Sequence, residues 1–396
     1  MTLTNRKDKE NTDITLPSGW HYSKLKDVIN EAQTGFACGT RSSVGIIQLR
    51  MNNVDTRGNF VWDEYLRVPA EVTDLDKYRL EAGDIVFNNT NSTELVGKSA
   101  LFQSYPESVV YSNHFTRIRV NSEYVFPTYV VAWLNWQYHR GIFADICNRW
   151  IGQSAVKNEI LFDLNIPLPT TIDEQKRISR ILIAQMAAIE KARTAAKARL
   201  EAAKALPAAY LREIFESEES RKWQKVRLGD ILRVKSGNFL PANNMNTLGK
   251  YPVYGGNGIN GYHDNFMFDE PKIIIGRVGA QCGCICVSEP NSWITDNALY
   301  VSDKLKPFDD AFMALLLKKL DLNSKANSMA QPLVSGKIIY DIETSLPDVD
   351  EQKQIADSVH KIYGEIEALF VGIQEELETI NILPVTILEQ AFSGGL

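Results

Sequence analysis

Glu174-Gln175-Lys176-Arg177-Ile178-Ser179-Arg180-Ile181-Leu182 opens the stretch that decides the fold, and the same helix-forming composition runs on to Phe215. Apolar residues recur at Ile178, Leu182, Met186, Ile189, Ala192, Ala196, Leu200, Ala203, Leu206, Tyr210 and Ile214. These steps of three and four keep them on one face of a helix. The opposite face is Lys, Arg, Glu and Gln. At 1.5 Å per residue the helix would be roughly 60 Å long, far beyond the usual three turns of a globular core. A helix of this kind gains its stability by burying its stripe, so it needs a partner.

The chain supplies one. Glu174-Gln175-Lys176 recurs as Glu351-Gln352-Lys353, Ile178 as Ile355, Leu182 as Val359, Ile189 as Ile366, Leu200 as Leu377, Pro207 as Pro384 and Phe215 as Phe392. Every pair is offset by 177 (351 − 174, 384 − 207, 392 − 215). A constant offset means two copies of one element with no insertion, and repeats set architecture. The two copies pair most simply as a coiled coil through Ile178, Leu182, Ile189 and Leu200 on one and Ile355, Val359, Ile366 and Leu377 on the other. A proline at the matching place should kink both helices alike.

The repeat extends upstream. Trp20-His21-Tyr22-Ser23-Lys24-Leu25-Lys26-Asp27-Val28 matches Trp223-Gln224-Lys225-Val226-Arg227-Leu228-Gly229-Asp230-Ile231, and each runs on to a Gly followed closely by Phe (Gly35-Phe36; Gly237 and Phe239). Short β-rich runs follow in both halves, Ile85 to Asn88 and Thr116 to Val120 in one, Lys272 to Gly276 and Ala298 to Ser302 in the other. A helix then follows near Pro127 to Tyr138 and near Pro307 to Leu320, and Pro-bearing lead-ins (Leu164 to Pro169, Ser345 to Pro347) precede each long helix. The expected class is α+β. Its parts are a disordered tail at 1–17, globular domains at 18–170 and 221–347, and long helices at 171–220 and 348–396.

The 396 residues leave room for two or three domains, and 44% hydrophobic with 23% charged is ordinary for a soluble protein and excludes no functional class. No apolar run reaches 18 residues and Met1 to Pro17 is polar, so a cytoplasmic location is expected. Five cysteines without a pairing framework fit a reducing compartment. A net charge of −6 argues mildly against nucleic acid, although a whole-chain sum hides local basic patches.

Several catalytic motifs fail on context. Gly256-Asn257-Gly258-Ile259-Asn260-Gly261 spells GxGxxG but does not open a helix, and Ser92 to Ser99 lacks the first glycine of a phosphate loop. Cys282, Cys284 and Cys286 alternate as in a strand, placing three thiols on one face, without a second pair to complete a zinc site. Asp296-Asn297-Ala298-Leu299-Tyr300 lacks the prolines of an amino-methyltransferase motif. The five histidines (21, 114, 139, 263, 360) fall at no metal or triad spacing.

Loop residues are more suggestive. Asn88-Asn89-Thr90-Asn91-Ser92-Thr93 is a run of amides and hydroxyls that could meet base edges or phosphates, or simply form a polar turn. Arg41, Arg50, Lys98, Arg149, Trp150, Arg277 and Lys337 sit near expected loops, where Arg offers a bidentate fork to guanine or phosphate; taken singly, each is more often a solvated surface side chain. Gln153 and Gln331 occupy corresponding places before the two lead-ins, with a shared task or loop capping as alternatives.

Taken with the Pro-bearing approach to each Glu-Gln pair, three groups of loop motifs resemble the specificity subunit of type I restriction–modification systems over nearly the whole chain. They are Gly83-Asp84-Ile85-Val86-Phe87-Asn88-Asn89-Thr90-Asn91-Ser92 with Glu94 to Ala100, Tyr251-Pro252-Val253-Tyr254-Gly255-Gly256-Asn257-Gly258-Ile259, and Ile273 to Gly279 with Thr295-Asp296-Asn297-Ala298. The resemblance implies two target-recognition domains that each read half of a bipartite, asymmetric sequence of double-stranded DNA. It also implies an antiparallel coiled coil that spaces them. Two methyltransferase subunits would dock on this frame and restriction subunits would join through the complex, with S-adenosylmethionine bound by the methyltransferase and no cofactor, metal or catalysis in this chain. It makes Asn89, Thr90, Asn91, Ser92, Lys98, Asn257, Tyr262, Arg277 and Gln281 candidates for DNA contact, beside Arg41, Arg50, Arg149, Gln153, Gln331 and Lys337. The competing classes are a non-catalytic coiled-coil scaffold without DNA binding and an enzyme with a site spanning both halves, for which no catalytic constellation is in view.

Overall fold

The Trp-bearing segment that opens each half is a strand, and it pairs with the proline-rich lead-in that closes the same half. In the computed structural model, which describes residues 16–246, 248–279, 281–326 and 332–396, Trp20–Lys24 runs antiparallel to Asn165–Pro169, and Gln224–Arg227 runs antiparallel to Glu343–Leu346. A two-stranded ladder tolerates Pro167 and Pro169 because prolines are excluded mainly from central strands. Most of the tail assigned to residues 1–17 lies outside the described residues. The chain divides into two compact units, one taking the residues up to Ala196 together with Glu376–Leu396, the other Lys197–Glu375.

Two further sheets recur in both units. In the first, a four-stranded antiparallel sheet has the order Ile29–Thr34, Phe115–Val120, Ile85–Asn88, Ser99–Leu101; in the second the order is Leu232–Ser236, Ala298–Lys304, Ile273–Gly276, Ile285–Val287. A three-stranded sheet accompanies each, with its central strand parallel to one neighbour (Ile47↔Val109; Val253↔Trp293). The inner strands Ile85–Asn88 and Ile273–Gly276 are buried on both faces. Alternation assigns the faces. Ile85 and Phe87 join the core beneath the helix Pro127–His139, whereas Val86 joins the core of the three-stranded sheet. Ile273 and Ile275 likewise part from Ile274.

The repeated glycine has a steric cause. A Cβ on Gly35 would lie 2.3 Å from the Tyr111 carbonyl oxygen, and one on Gly237 would lie 2.2 Å from that of Ile294. Neither position accepts a side chain without moving backbone. The GxGxxG string opens with the Gly256-Asn257 turn of a hairpin and runs on into its second strand, Gly258–His263, which pairs with Tyr251–Gly255. The expectation of three thiols on one strand face is corrected: Gly283 takes φ +83, which interrupts the extended run. Cys282 is therefore buried in a turn, Cys284 is exposed, and only Cys286 lies in the strand Ile285–Val287.

The long helices span Ile172–Phe215 and Val349–Ser393, each continuing past its internal proline. Their ends are built into the domains. In the first unit Ile178 and Leu182 from one helix and Leu388, Ala391 and Phe392 from the other share the domain core. This corrects the reading of Ile178 and Leu182 as helix-pairing positions alone: the first turns of the stripe complete a globular core. Farther along, Ile189, Ala196 and Ile380 form a separate cluster edged by Leu377, and the Arg193 Nε donates to Asn381 Oδ1 at 3.0 Å. In the second unit Tyr210 and Ser358 share a hydroxyl hydrogen bond of 2.9 Å and the Tyr363 hydroxyl donates to the Pro207 carbonyl at 3.4 Å. Val359 is buried, Ile355 packs at the edge of the domain core, and Leu200 and Ile366 are half-buried.

Matched aromatic sets seat the helix ends. Phe392 stacks on Trp136 at 5.1 Å and meets Tyr129 edge-on at 5.2 Å, and Tyr129 in turn meets Trp20. Phe215 lies 5.6 Å from Phe312 and 5.9 Å from Trp223, which also meets Phe312. Such pairs add about 0.5–1.5 kcal/mol each beyond area burial.

Candidate nucleic-acid interface

The strand Ile85–Asn88 ends in the asparagine run, and the side chains there bond mainly to one another. Asn88 Nδ2 donates to the carbonyls of Thr90 (3.1 Å) and His114 (2.9 Å), and Asn91 Nδ2 donates to Asn88 Oδ1 at 2.6 Å. Asn89 Nδ2 donates to Thr116 Oγ1 at 2.9 Å, while Asn89 Oδ1 accepts from the Thr90 hydroxyl at 2.7 Å. Thr116 also donates to Asn158 Oδ1, and the Asn158 amide donates to Thr34. Asn89 and Asn91 are buried, which corrects their reading as base-contacting side chains: their amides are committed inside the fold and fix the loop's shape. Thr90 and Ser92, half-buried, remain at its edge.

Lys98 requires a second correction. Its side chain is buried, with Nζ donating to the carbonyls of Met51 (3.0 Å) and Val54 (2.5 Å). Burial holds its pKa below the ordinary lysine value, with Asp55 opposing. It therefore ties the strand Ser99–Leu101 to the short helix Met51–Asn53 and is not a phosphate contact. Arg41 and Arg149 are exposed and Arg50 is half-buried. Beside Arg50 lies His114, whose imidazole pKa is depressed by burial and then by the Arg50 charge. Gln153 is exposed on a hairpin formed by Asn148–Trp150 and Gln153–Ala155, which pairs with Thr90–Asn91.

The second unit builds the same slot with other side chains. The Val156 N–H donates to the Asn89 carbonyl at 2.9 Å, and the Val334 N–H donates to that of Arg277 at 2.9 Å; Gly97 to Asn88 is matched by Gly283 to Gly276. Asn88-Asn89 in one unit therefore stands where Gly276-Arg277 stands in the other. Arg277 is half-buried, with Nη1 donating to Ser236 Oγ (3.2 Å) and the Asp296 carbonyl (3.3 Å). Asn257 and Gln281 are exposed on adjoining turns, Tyr262 is exposed on the strand Gly258–His263, and Lys337 is exposed in the first turn of the helix Gly336–Tyr340. Gln331 lies outside the described residues. His114, Thr116, Asn158 and Ser236 join these networks without any motif that would have marked them in the sequence.

The family model for the type I restriction modification DNA specificity domain matches residues 17–198 and again 220–379. The chain belongs to this family. It is a specificity subunit with two target-recognition domains, one in each unit. It is 24% identical over 392 positions to a type I restriction enzyme MjaX specificity subunit of Methanocaldococcus jannaschii, covering 89% of this chain and 88% of that protein. Over 151 positions it is 29% identical to the type I restriction enzyme EcoprrI specificity subunit of Escherichia coli, covering 36% of this chain and 37% of the other. Two solved structures share the fold. A chain from work on complex assembly and conformational transition of the type I R-M system gives a TM-score of 0.73 at 19% identity, covering 96% of this chain and 100% of that one. The HsdS subunit from Thermoanaerobacter tengcongensis gives 0.67 at 19% identity, covering 98% and 100%. Among the described residues of this specificity subunit no three His, Cys, Asp or Glu side chains converge as a metal site, and no helix is long and apolar enough to cross a membrane.

Proposed function

We infer that each target-recognition domain reads one half of a bipartite, asymmetric double-stranded DNA sequence, and that the chain itself performs no catalysis. The observation carrying this reading is the matched slot: one backbone scaffold is bordered by Thr90, Ser92 and Gln153 in one unit and by Arg277, Asn257 and Gln281 in the other. Two copies of one reader with different side chains are what an asymmetric target requires, since base identity is read by the donor and acceptor pattern of side chains in the groove. The two long helices pair as an antiparallel coiled coil that sets the unread spacer. Two methyltransferase subunits dock on this frame in the cytoplasm, bring S-adenosylmethionine, and link the restriction subunits. Contacts that run in opposite sequence directions within each unit (Arg193 to Asn381 with Arg177 to Leu396, just past the helix end; Pro207 to Tyr363 with Tyr210 to Ser358) support the pairing. The test is sequencing of methylated adenines in DNA from cells expressing this chain with its methyltransferase subunits. A two-part motif with a fixed gap is expected; methylation without such a motif would overturn the reading and favour a protein scaffold.

A further inference from the structure

The hairpin Asn148–Trp150/Gln153–Ala155 carries an arrangement that core packing does not explain. Trp150 pairs with Gln153, so only Ile151 and Gly152 form the turn, and Gly152 takes φ +76 there. Ile151 is fully exposed and Trp150 is 60% exposed. Hairpin tips ordinarily carry small polar residues. Here the two most water-averse side chains of the segment are held outermost on a short, hydrogen-bonded rod.

Its base is the recognition slot itself. Ser154 and Ala155 pair with Asn91 and Thr90, Thr93 and Ser154 share a hydroxyl hydrogen bond of 2.8 Å, and the Val156 N–H reaches the Asn89 carbonyl. DNA seated on the slot would lie beside this rod. Exposed Arg149, whose guanidinium donates to the Ala144 carbonyl at 2.8 Å, sits one residue from the tip, and exposed Gln153 faces Trp150 across it. A cation suited to phosphate beside an apolar point matches the chemistry of side chains that part a base step from within a groove.

We propose that Trp150 and Ile151 form a wedge that enters a groove of the first half-site and unstacks one base step, so that the deformability of that step is part of what the first domain selects. Arg149 holds a neighbouring phosphate during insertion. Steps that unstack easily, such as TA and CA/TG, are favoured at that place even where no hydrogen bond reads them. The proposal rests on the DNA-reading assignment above, and its test separates the two.

The complex of this chain with its methyltransferase subunits is titrated with duplexes of its own methylated motif that carry 2-aminopurine at successive positions of the first half-site. Fluorescence should rise at one step with the unaltered chain, and the rise should vanish with the W150A/I151A double variant and with Ile151→Ser. Cognate affinity should fall about tenfold while affinity for unrelated DNA changes less than twofold. Arg149→Ala should keep the fluorescence and flatten the salt dependence by about one phosphate contact. No rise at any step with the unaltered chain overturns the wedge, as does a double variant that leaves fluorescence and cognate affinity unchanged. Loss of assembly with the methyltransferase subunits, with DNA binding kept, would make the tip a protein contact and also overturns it. A complex that methylates no defined motif removes the DNA-reading assignment instead, and that outcome is seen before any variant is made.

Discussion

Gln175 and Gln352 each commit both ends of a primary amide to backbone groups, the oxygen accepting from the N–H that begins a domain helix. Gln175 accepts from the Phe126 N–H at 2.9 Å and donates to the Tyr124 carbonyl at 3.1 Å; Gln352 accepts from the Asp309 N–H and donates to the Pro347 carbonyl, both at 2.9 Å. Both are buried, so Gln175→Ala leaves a backbone donor without a partner, and unfolding of the first unit followed by urea titration should show a loss of about 1–3 kcal/mol. Lys98→Ala should cost a similar amount while the salt dependence of DNA affinity stays unchanged, because the ammonium meets carbonyls and not phosphates. Acid should weaken the first unit. Burial depresses the imidazole pKa of His114 and of His139, so the unfolded chain binds protons that the folded one refuses. The contribution is intact above the ordinary histidine value of about 6.5 and is lost as pH falls through the depressed folded values. Replacing both histidines with Gln should flatten the fall in melting temperature between about pH 7 and pH 5. At this scale the sequence was least legible. A run such as Asn88 to Ser92 has the same letters whether its amides face DNA or one another, and the difference lies in Thr116 and Asn158, which are remote in sequence.

The long helices were legible because a stripe at 3.6-residue spacing and a repeat at constant offset are both local patterns. Which surface each part of the stripe meets is not local. Leu388 and Phe392 belong to the core of the first domain although that domain's own sequence ended far upstream. Phe392→Ala should therefore cost about 3–5 kcal/mol in the first unit, as for a large aromatic removed from a packed core, and leave the second unit unaffected. Phe215→Ala should do the reverse; hydrogen exchange resolved by segment would show both. Seven residues inserted after Ala196 and after Ile373 keep the stripe nearly in phase and lengthen each helix by roughly 10 Å. With about 3.4 Å per base pair, the methylated half-sites should move apart by about three base pairs, as methylome sequencing would register. An active variant that methylates at the original spacing would refute the ruler.

At the scale of the molecule, the order of domain, helix, domain, helix could be read from the chain because each half opens and closes on the same residues. The two-layered domains and the common order of their four-stranded sheets could not, since even the matching inner strands Ile85–Asn88 and Ile273–Gly276 share burial on both faces and not a sequence. Replacing residues 18 to 169 with a homologous domain should change one half of the methylated motif and leave the other as it was; a change in both would refute independent readers. The composition of the first unit also sets an order in time. Its residues up to Ala196 leave the ribosome first, yet its core needs Leu388, Ala391 and Phe392, which follow the whole of the second unit. At about 5–20 residues per second the earliest-made domain waits roughly 10–40 s for its last side chains, while the second unit, contiguous in sequence, has all its parts beforehand. During that interval the seat for Phe392, lined by Trp136 and Tyr129, is open to other apolar segments. A chain cut short after Glu376 would therefore be recognised by chaperones and proteases at its first domain.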